Sequence, residues 1–514
     1  MVKDNNRYLW GSAAFTFFLI VVSWKLTNAS LWFDETVEFY YSQISLSDMY
    51  KKVVTTFQPP LYNFILHFWL KISENEWWFR FSGVVFGFIG CTGLFKTIRK
   101  LSSFNTACIS VIVYAVSYNI VYYLQEAAEY ALLLGVLGWV MCFFVYSQET
   151  PSCKNIIFFV ISCVLAMYSQ YGAVFIVIPA CVVLLGMFIK KHQIQESLLL
   201  CGSGAAAGIF AGLPLLLFFI IPQMKNQGTS SGNLQDITFD GNILKDEWKN
   251  FCKVIQWIFL GETEITLNIM LKVCLFIILV LIMYQFIVSK DTIYKMSILV
   301  FVISFFLYYI TVKLGFYATN SYTNDNFGNR YNLFLGPWFL MVVSVTLKKI
   351  FCSCYKGRPS SKVSKYGSML CGVVLILCAV FVHHNYIRLN NNWAKEDARG
   401  GVNYWYSVSG YERETLVYYG NEYGFKYYME HDGRYSEEYL KNITYQPWSR
   451  GISEADFEQY LLDTYGNSIP ETLYLSASHI NGDINSMLQV FSNRGFVVET
   501  AWQGNNACVY YIHY

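Results

Sequence analysis

Residues 8–35 read YLWGSAAFTFFLIVVSWKLTNASLWFDE, an apolar run that ends in two adjacent carboxylates. A helix needs roughly 20 mainly apolar residues to span a bilayer, and Tyr8–Leu26 supplies them. Because no small-residue cleavage site precedes the aromatic pair at 32–33, we expect this run to be retained as a signal anchor. The stretch therefore predicts a membrane protein in which Asp34 and Glu35 lie just outside the first span.

The whole chain is too apolar for a soluble protein. Its 514 residues are 55% hydrophobic and 14% charged, whereas soluble chains carry about 25% charged residues. The net charge of +2 hides an acidic tail, since residues 385–514 hold 9 Lys and Arg against 16 Asp and Glu. No stripe of Lys and Arg lies on a soluble face, which argues against a nucleic-acid partner. The 14 cysteines lie mostly inside apolar runs and indicate no disulfide framework.

Ten further apolar runs bring the predicted number of membrane spans to eleven. They lie near 79–98, 104–124, 128–147, 155–170, 171–189, 198–221, 268–288, 294–313, 331–347 and 367–384. With the N-terminus inside, the cytoplasmic loops collect Lys and Arg, six of them in the 347–366 loop, as the positive-inside rule requires. The same orientation puts the loops 28–78 and 222–267, and everything after the last span, outside the cytoplasm.

The predicted fold class is a polytopic α-helical membrane part, residues 1–384, followed by a small extracytoplasmic α/β domain, residues 385–514. In this tail, the patterns predict strands at 415–419, 472–476 and 507–514, and helices at 457–462 and 484–491. The tail sequence has no phosphate-binding glycine loop, metal-ligand cluster or nucleophile elbow. We therefore expect it to cover the membrane part or to recognise a partner.

The outer loop 28–78 carries helical patterns of its own. Apolar residues recur at helical spacing over 45–57, which predicts an amphipathic helix in the membrane interface. Pro59 and Pro60 end it, and 61–70 begins a second short apolar helix. This second helix is too short to cross a bilayer, so we expect a re-entrant or juxtamembrane position.

The two carboxylates after the first span give the strongest indication of chemistry. Placing Asp34 and Glu35 directly after three large apolar residues is unfavourable unless they are hydrated or paired. Desolvation against Trp32 and Phe33 disfavours the charged form of Asp34 and would suit it to take a proton from a hydroxyl group. The alternative is an acidic interfacial loop with no task.

A second acidic pair opens the fourth predicted span, in the sequence QEAAEY at 125–130. Residues three apart lie on one helix face, so we expect Glu126 and Glu129, beside Tyr130, to face one extracytoplasmic cavity. The alternative is that both carboxylates only complement the positive end of the helix dipole.

Two cations on the outer side are candidates for binding an anion. Arg330, which precedes Tyr331 at the outer end of the tenth span, is a planar bidentate donor that suits a phosphate. An interfacial anchor is the alternative for this Arg. Lys313 lies in the same loop, where snorkelling to the interface explains it better than ligand binding.

Other polar residues on the outer side give weaker indications. The sequence QPPLY, from Gln58 to Tyr62, is typical of a fixed turn before a helix. His67 on that helix is more simply a hydrogen-bonded structural residue than a ligand. The sequence SQY, centred on Gln170, lies between the fifth and sixth spans, where it either lines a cavity or marks a turn.

The order of these motifs resembles that of the C-type membrane glycosyltransferases. An Asp-Glu pair after the first span is followed by a Pro-Pro-Leu-Tyr turn, a Glu-Ala-x-x-Tyr-Ala motif, an Arg-Tyr pair before a late span and a soluble tail. The bacterial branch related to protein O-mannosyltransferases and lipid A aminoarabinose transferases is the most similar. The resemblance covers nearly the whole chain.

The resemblance implies an inverting transfer of a sugar from a polyprenyl phosphate to a hydroxyl group of a lipid, glycan or protein acceptor. The reaction would take place on the outer side of a bacterial plasma membrane and need no nucleotide. Asp34 resembles the catalytic aspartate, Glu35 its partner and Glu126 the second acidic residue. Arg330 resembles the cation that holds the lipid-linked phosphate, helped by Lys313 or a divalent metal ion.

The donor and substrate contacts are expected from a wider set of outer residues. They are Gln58, Tyr62, His67, Glu126, Glu129, Tyr130, Gln170, Lys313, Arg330 and Tyr331. Two positions depart from the family pattern, because Gln58 replaces a His or Lys and Ala128 replaces an Arg found in many members. Both departures remove positive charge near the donor phosphate.

Three other functions compete with this interpretation. A polytopic transporter or lipid flippase is the first, but transporters place ionisable groups near the bilayer midplane and often contain repeats. Here no repeat is visible, and the charged candidates lie at one face. A catalytically inactive relative that acts as a scaffold is the second, and a polysaccharide polymerase or ligase of another membrane fold is the third.

Overall fold

The computed structural model describes residues 2–227, 247–261, 265–314, 330–356, 396–420, 422–442, 454–466, 469–478 and 484–514. The chain forms two compact units. The first unit consists of Met1–Trp24, Ile44–Trp69 and Arg80–Asn391, and the second of Lys25–Gln43, Leu70–Phe79 and Asn392–Tyr514. Two parts of the segment 28–78 thus belong to the same unit as the tail. The expected boundary at 384/385 lies outside the described residues.

Helices dominate the chain up to residue 356. The first ten are α1 (Val2–Ser23), α2 (Phe33–Gln43), α3 (Leu46–Val53), α4 (Leu61–Trp69), α5 (Glu76–Leu101), α6 (Phe104–Val116), α7 (Tyr118–Gln125), α8 (Glu129–Glu149), α9 (Cys153–Ser169) and α10 (Val174–Lys190). The next seven are α11 (Ile194–Ala207), α12 (Leu213–Leu215), α13 (Ile221–Gln227), α14 (Glu247–Leu260), α15 (Ile265–Val288), α16 (Thr292–Lys313) and α17 (Leu335–Lys356). Two π-helical turns, Gly208–Gly212 and Leu216–Ile220, connect α11 to α13.

Several of these helices can cross a membrane. Among the described residues, seven are long and apolar enough, or eight if the pair α6–α7 counts as one span. This pair is bent by 67°, so the run predicted as one span at 104–124 is broken at Ser117. Two apolar helices, Tyr8–Ser23 within α1 and Cys153–Ser169, are shorter. The chain is therefore a polytopic helical membrane protein, while the run at 367–384 lies outside the described residues and the count of eleven stays a prediction.

Glycines allow α5 and α8 to pack closely. A Cβ atom at Gly138 would overlap the carbonyl group of Gly90, and one at Gly90 would overlap the carbonyl group of Leu134. Close backbone approach through small residues is a main source of attraction between helices in lipid. This packing fixes α8, whose first two residues are Glu129 and Tyr130.

The helical patterns of the outer loop correspond to α3 and α4, which lie in the first unit. The helix expected over 45–57 is shorter and ends at Val53. At its N-cap, the Ser45 hydroxyl accepts a hydrogen bond from the Asp48 N–H. The helix expected over 61–70 is observed as Leu61–Trp69, directly after Pro60. Proline is well suited to this place, because its missing N–H would have no partner within the helix.

The second unit contains a four-stranded sheet with the order β1-β2-β4-β3. The strands are β1 (Leu416–Gly420), β2 (Thr472–Ser478), β3 (Val497–Gly504) and β4 (Ala507–His513). β2 pairs in parallel with β1 and antiparallel with β4, which also pairs antiparallel with β3. The strands predicted in the tail coincide with β1, β2 and β4, and β3 is an additional strand.

Helices cover this sheet. In the tail they are α18 (Ala398–Ser407), α19 (Glu422–Glu430), α20 (Glu437–Asn442), α21 (Glu454–Tyr465) and α22 (Ile484–Asn493). The helices predicted at 457–462 and 484–491 lie within α21 and α22. These two helices pack against the sheet through Phe457, Leu461, Met487 and Phe491, which meet Leu473, Leu475 and Ile512 of the central strands.

Candidate active site

Asp34 lies in the first turn of α2, in the second unit. Trp32 directly precedes the helix, and the carboxylate of Glu35 accepts a hydrogen bond from the Trp32 backbone N–H at 3.3 Å. A Glu at the third helical position that pairs with the N-cap N–H is one half of a capping box. Glu35 is fully buried and therefore has a structural task in starting the helix.

Asp34 differs from Glu35 in its exposure. The side chain of Asp34 is half-buried, whereas Glu35 has no exposed surface. Both carboxylates are favoured in the first turn because they complement the positive end of the helix dipole. Of the two, Asp34 is therefore the carboxylate that solvent can reach.

Aromatic contacts hold the rest of α2 against α19. The ring of Phe39 lies 4.9 Å from that of Tyr427 and 5.5 Å from that of Phe79, both in edge-to-face geometry. The Tyr40 hydroxyl donates a hydrogen bond to Glu430 at 2.8 Å. Because aromatic pairs in this geometry stabilise beyond their buried area, these contacts hold the helix that carries Asp34.

Tyr41, on the same helix, is not a candidate base. Burial raises the pKa of its hydroxyl to about 12, and Tyr423 and Glu38 act in the same direction. The hydroxyl therefore stays protonated near neutral pH, where it can donate a hydrogen bond but cannot take a proton from a substrate.

The second acidic pair does not lie on one helix face, which corrects the prediction for Glu126 and Glu129. α7 ends at Gln125, and Glu126 has extended backbone with φ −91° and ψ 132°. The N–H of Ala128 then donates to the carbonyl of Glu126 at 2.9 Å, so a tight turn separates Glu126 from α8. The side chains of Glu126 and Glu129 are 0% and 3% exposed. Because a buried carboxylate is unfavourable unless it is paired or hydrogen-bonded, each of the two needs polar partners of its own.

Arg330 lies beside two tyrosines of the first unit. It belongs to a short 3₁₀ helix, Arg330–Asn332, and its guanidinium carbon lies 5.9 Å from the ring centre of Tyr130 and 5.4 Å from that of Tyr331. Cation–π contacts of this length hold a guanidinium in place. The structure thus brings together three residues of the predicted substrate set.

The Gln58 turn is held by a residue that the sequence analysis missed. The buried side-chain amide of Gln223 donates to the carbonyl of Gln58 at 2.7 Å and to that of Val53 at 3.1 Å. Its oxygen accepts a hydrogen bond from the Tyr171 hydroxyl at 2.7 Å. Gln223 therefore joins the Gln58 turn to the junction that contains Gln170. The sequence signal is weak, since it is one polar residue after Pro222 at the end of an apolar run.

The remaining residues of the predicted set are Tyr62, His67, Gln170 and Lys313. Tyr62 is buried, with its ring 6.3 Å from that of Phe86, and His67 is half-buried, with its ring 5.2 Å from that of Phe68. Gln170 is a buried C-cap whose N–H donates to the carbonyl of Ala166 at 3.1 Å. Lys313 is the last residue of α16.

Within the described ranges, no group of three or more His, Cys, Asp and Glu side chains is arranged so that it could hold a metal ion. A hard divalent cation needs several oxygen ligands.

Comparisons with known proteins agree with this architecture. Residues 57–218 match the family described as dolichyl-phosphate-mannose-protein mannosyltransferase. The crystal structure of ArnT from Cupriavidus metallidurans bound to undecaprenyl phosphate matches with a TM-score of 0.55 at 11% identity, covering 98% of this chain and 97% of that chain. The apo structure of the same ArnT matches with a TM-score of 0.58 at 11% identity, covering 99% and 98%. No curated protein matches the sequence.

These matches confirm the resemblance inferred from the motifs. The chain has the fold of the C-type membrane glycosyltransferases. Within that class, it shares its fold over nearly the full length with ArnT.

Proposed function

We propose that this protein is an inverting glycosyltransferase that moves a sugar from a polyprenyl-phosphate donor to a hydroxyl group of a lipid, glycan or protein acceptor of the cell envelope. The observation that carries the proposal is the fold shared over nearly the whole chain with an ArnT that binds undecaprenyl phosphate. In this proposal, residues 1–384 form the catalytic membrane part, and the tail and Asp34 lie on the extracytoplasmic side.

Asp34 is proposed as the general base. Its half-buried position in the first turn of α2 supports this role, because a substrate can approach it while the fully buried Glu35 is engaged by the Trp32 N–H. Asp34 would take the proton from the acceptor hydroxyl as its oxygen attacks the anomeric carbon. Attack in line with the leaving phosphate inverts the configuration at that carbon.

Arg330 is proposed to hold the donor phosphate. The bond that breaks joins the anomeric carbon to a phosphate oxygen, and the departing polyprenyl phosphate gains negative charge. This leaving group needs stabilisation by a cation rather than protonation by a general acid. The contacts of Arg330 with the rings of Tyr130 and Tyr331 support this role, because they help to hold the guanidinium in place.

A transfer assay tests the proposal directly. The purified protein, reconstituted in lipid, is incubated with a panel of polyprenyl-phosphate sugars and a cell-envelope lipid extract as acceptor. Sugar transfer that is lost in Asp34→Asn, with polyprenyl phosphate still bound, is the expected result. Full activity in Asp34→Asn would refute the general-base assignment. Donor binding without transfer by the wild-type protein would instead favour a transporter.

A further inference from the structure

Arg399 of α18 fixes the chain just before α2. Its guanidinium donates hydrogen bonds to the carbonyl of Thr27 at 3.0 Å and to that of Ala29 at 3.4 Å. It also forms an ion pair with Glu76, with both carboxylate oxygens 2.7 Å from one nitrogen. The ion pair is partly shielded from solvent, since the side chains of Arg399 and Glu76 are 34% and 13% exposed. Charge-assisted contacts between a guanidinium and a carboxylate are stronger than hydrogen bonds between neutral groups.

Tyr428 of α19 fixes Leu31 of the same segment. Its hydroxyl oxygen accepts a hydrogen bond from the backbone N–H of Leu31 at 2.7 Å and lies 3.3 Å from a guanidinium nitrogen of Arg399. The ring of Tyr428 lies 5.2 Å from the guanidinium carbon. The Leu31 contact is buried, so the bond is protected from competition with water.

Ser30 and Asp397 complete the network. The Ser30 hydroxyl donates to Asp397 at 3.0 Å and accepts a hydrogen bond from the Arg399 N–H at 3.2 Å. Asp397 in turn caps α18 by accepting a hydrogen bond from the Gly400 N–H at 2.9 Å. Thr27, Ala29, Ser30 and Leu31 are thus bound by residues of the tail, and Glu76 holds the Arg399 guanidinium.

We infer that Arg399 and Tyr428 are positioning residues for Asp34, an inference that rests on the proposed function. Leu31 is the last residue before the capped N-terminus of α2, and the Trp32 carbonyl accepts the Thr36 N–H at 3.0 Å. The bond from Leu31 to Tyr428 therefore sets where the helix begins. A displacement of this start moves the Asp34 carboxylate with it, and a shift of about 1 Å at a reacting group can lower a rate by about 100-fold.

Two Tyr→Phe substitutions distinguish the positioning role from an effect on overall stability. Tyr428→Phe keeps the ring against Arg399 and removes only the hydroxyl that holds Leu31. Tyr439→Phe is the matched control, because its hydroxyl accepts a hydrogen bond from the Trp405 indole N–H at 2.7 Å elsewhere in the same unit. Both full-length variants are reconstituted in lipid and compared with the wild type in melting temperature, amide hydrogen exchange and sugar transfer.

The expected result separates the two variants. Tyr428→Phe should increase exchange in peptides that cover 28–36 and lower kcat about 10- to 100-fold, with the KM values of donor and acceptor within about twofold of the wild type. Tyr439→Phe should leave exchange over 28–36 and kcat unchanged. Arg399→Lys provides a second variant, since Lys keeps the charge but lacks the planar fork. It should give the same pattern with a larger increase in exchange.

Two results would overturn the inference while the proposed function stands. One is that amide exchange over 28–36 in Tyr428→Phe is as slow as in the wild type. The other is increased exchange with unchanged kcat, which would leave Tyr428 as a structural anchor only. If the wild-type protein transfers no sugar from any donor, the proposed function itself fails, and the positioning role fails with it.

Discussion

The Glu35 carboxylate accepts a hydrogen bond from the Trp32 N–H at 3.3 Å, while Asp34 in the same helical turn remains half-buried. Adjacent carboxylates of one motif thus have different surroundings. Glu35 caps the N-terminus of α2, whereas Asp34 is proposed as the general base. This difference predicts different consequences for their substitution.

Substitutions at the two positions should affect different quantities. Asp34→Asn keeps the size of the side chain and removes the base, so we expect kcat to fall about 10²- to 10⁴-fold with an unchanged melting temperature. Glu35→Ala removes the capping contact and should lower the free energy of unfolding by about 0.5–2 kcal/mol. Parallel transfer assays and thermal unfolding in lipid measure both.

Glu35→Gln is the control for this pair. Its amide oxygen can still accept the Trp32 N–H, so the variant should be more stable than Glu35→Ala. If Glu35→Gln were as stable as the wild type but lost as much activity as Asp34→Asn, Glu35 would have a chemical role. The assignment of capping to Glu35 and of catalysis to Asp34 would then be wrong.

Arg330→Ala should weaken donor binding. Loss of a hydrogen bond to a charged phosphate costs roughly 1.5–3 kcal/mol, which corresponds to a Kd for undecaprenyl phosphate higher by about 10- to 100-fold. Arg99→Ala is the control, because Arg99 also lies over an aromatic ring, that of Phe104 at 5.6 Å, but near a predicted cytoplasmic loop. Equal affinity in wild type and Arg330→Ala, measured by titration in nanodiscs, would reduce Arg330 to an interfacial anchor.

Hydropathy and charge predict much of the membrane part, because contact with lipid demands long apolar runs. They do not predict the bend between α6 and α7, where Ser117 is the C-cap of α6 and its hydroxyl donates to the Val113 carbonyl at 2.6 Å. No proline marks this break. Nor do they predict the turn at Ala128, because the hydrogen bond from the Ala128 N–H to the Glu126 carbonyl involves only backbone atoms.

The residue type of Asp34 and its place after the first span make it a candidate base, but the sequence does not predict α2. The helix is short, and the residues that hold it, such as Tyr427 and Tyr428, lie nearly 400 positions later in the chain. Likewise, Gln223 acts through the backbone carbonyls of Val53 and Gln58. Backbone partners carry no side-chain signature, so such a contact cannot be predicted from one sequence.

Gln223→Leu should destabilise the turn at Gln58. The substitution leaves two carbonyl groups and the Tyr171 hydroxyl without their amide partner, and each buried unsatisfied group costs about 1–3 kcal/mol. The melting temperature should therefore fall, and amide exchange over 53–58 should increase.

Asn226→Ala is the matched control for Gln223→Leu. The Asn226 amide donates to the neighbouring carbonyl of Val54 at 2.9 Å, but this contact is exposed, and exposed substitutions usually change stability by less than about 0.5 kcal/mol. Equal losses in the two variants would show that burial of the Gln223 amide is not what stabilises the turn.

The packing of α5 against α8 predicts that one substitution has opposite effects at two glycines. Ala favours a helix over Gly by about 1 kcal/mol, and a Cβ at Gly186 of α10 would meet no atom within 4 Å. Gly186→Ala should thus be neutral or stabilising. A Cβ at Gly138 would overlap the Gly90 carbonyl, so Gly138→Ala must separate the two helices, and overpacking of this kind costs about 1–3 kcal/mol. Melting temperatures and the monodisperse fraction after detergent extraction measure both variants. A gain in stability at Gly138 equal to that at Gly186 would mean that α5 and α8 do not touch along these glycines.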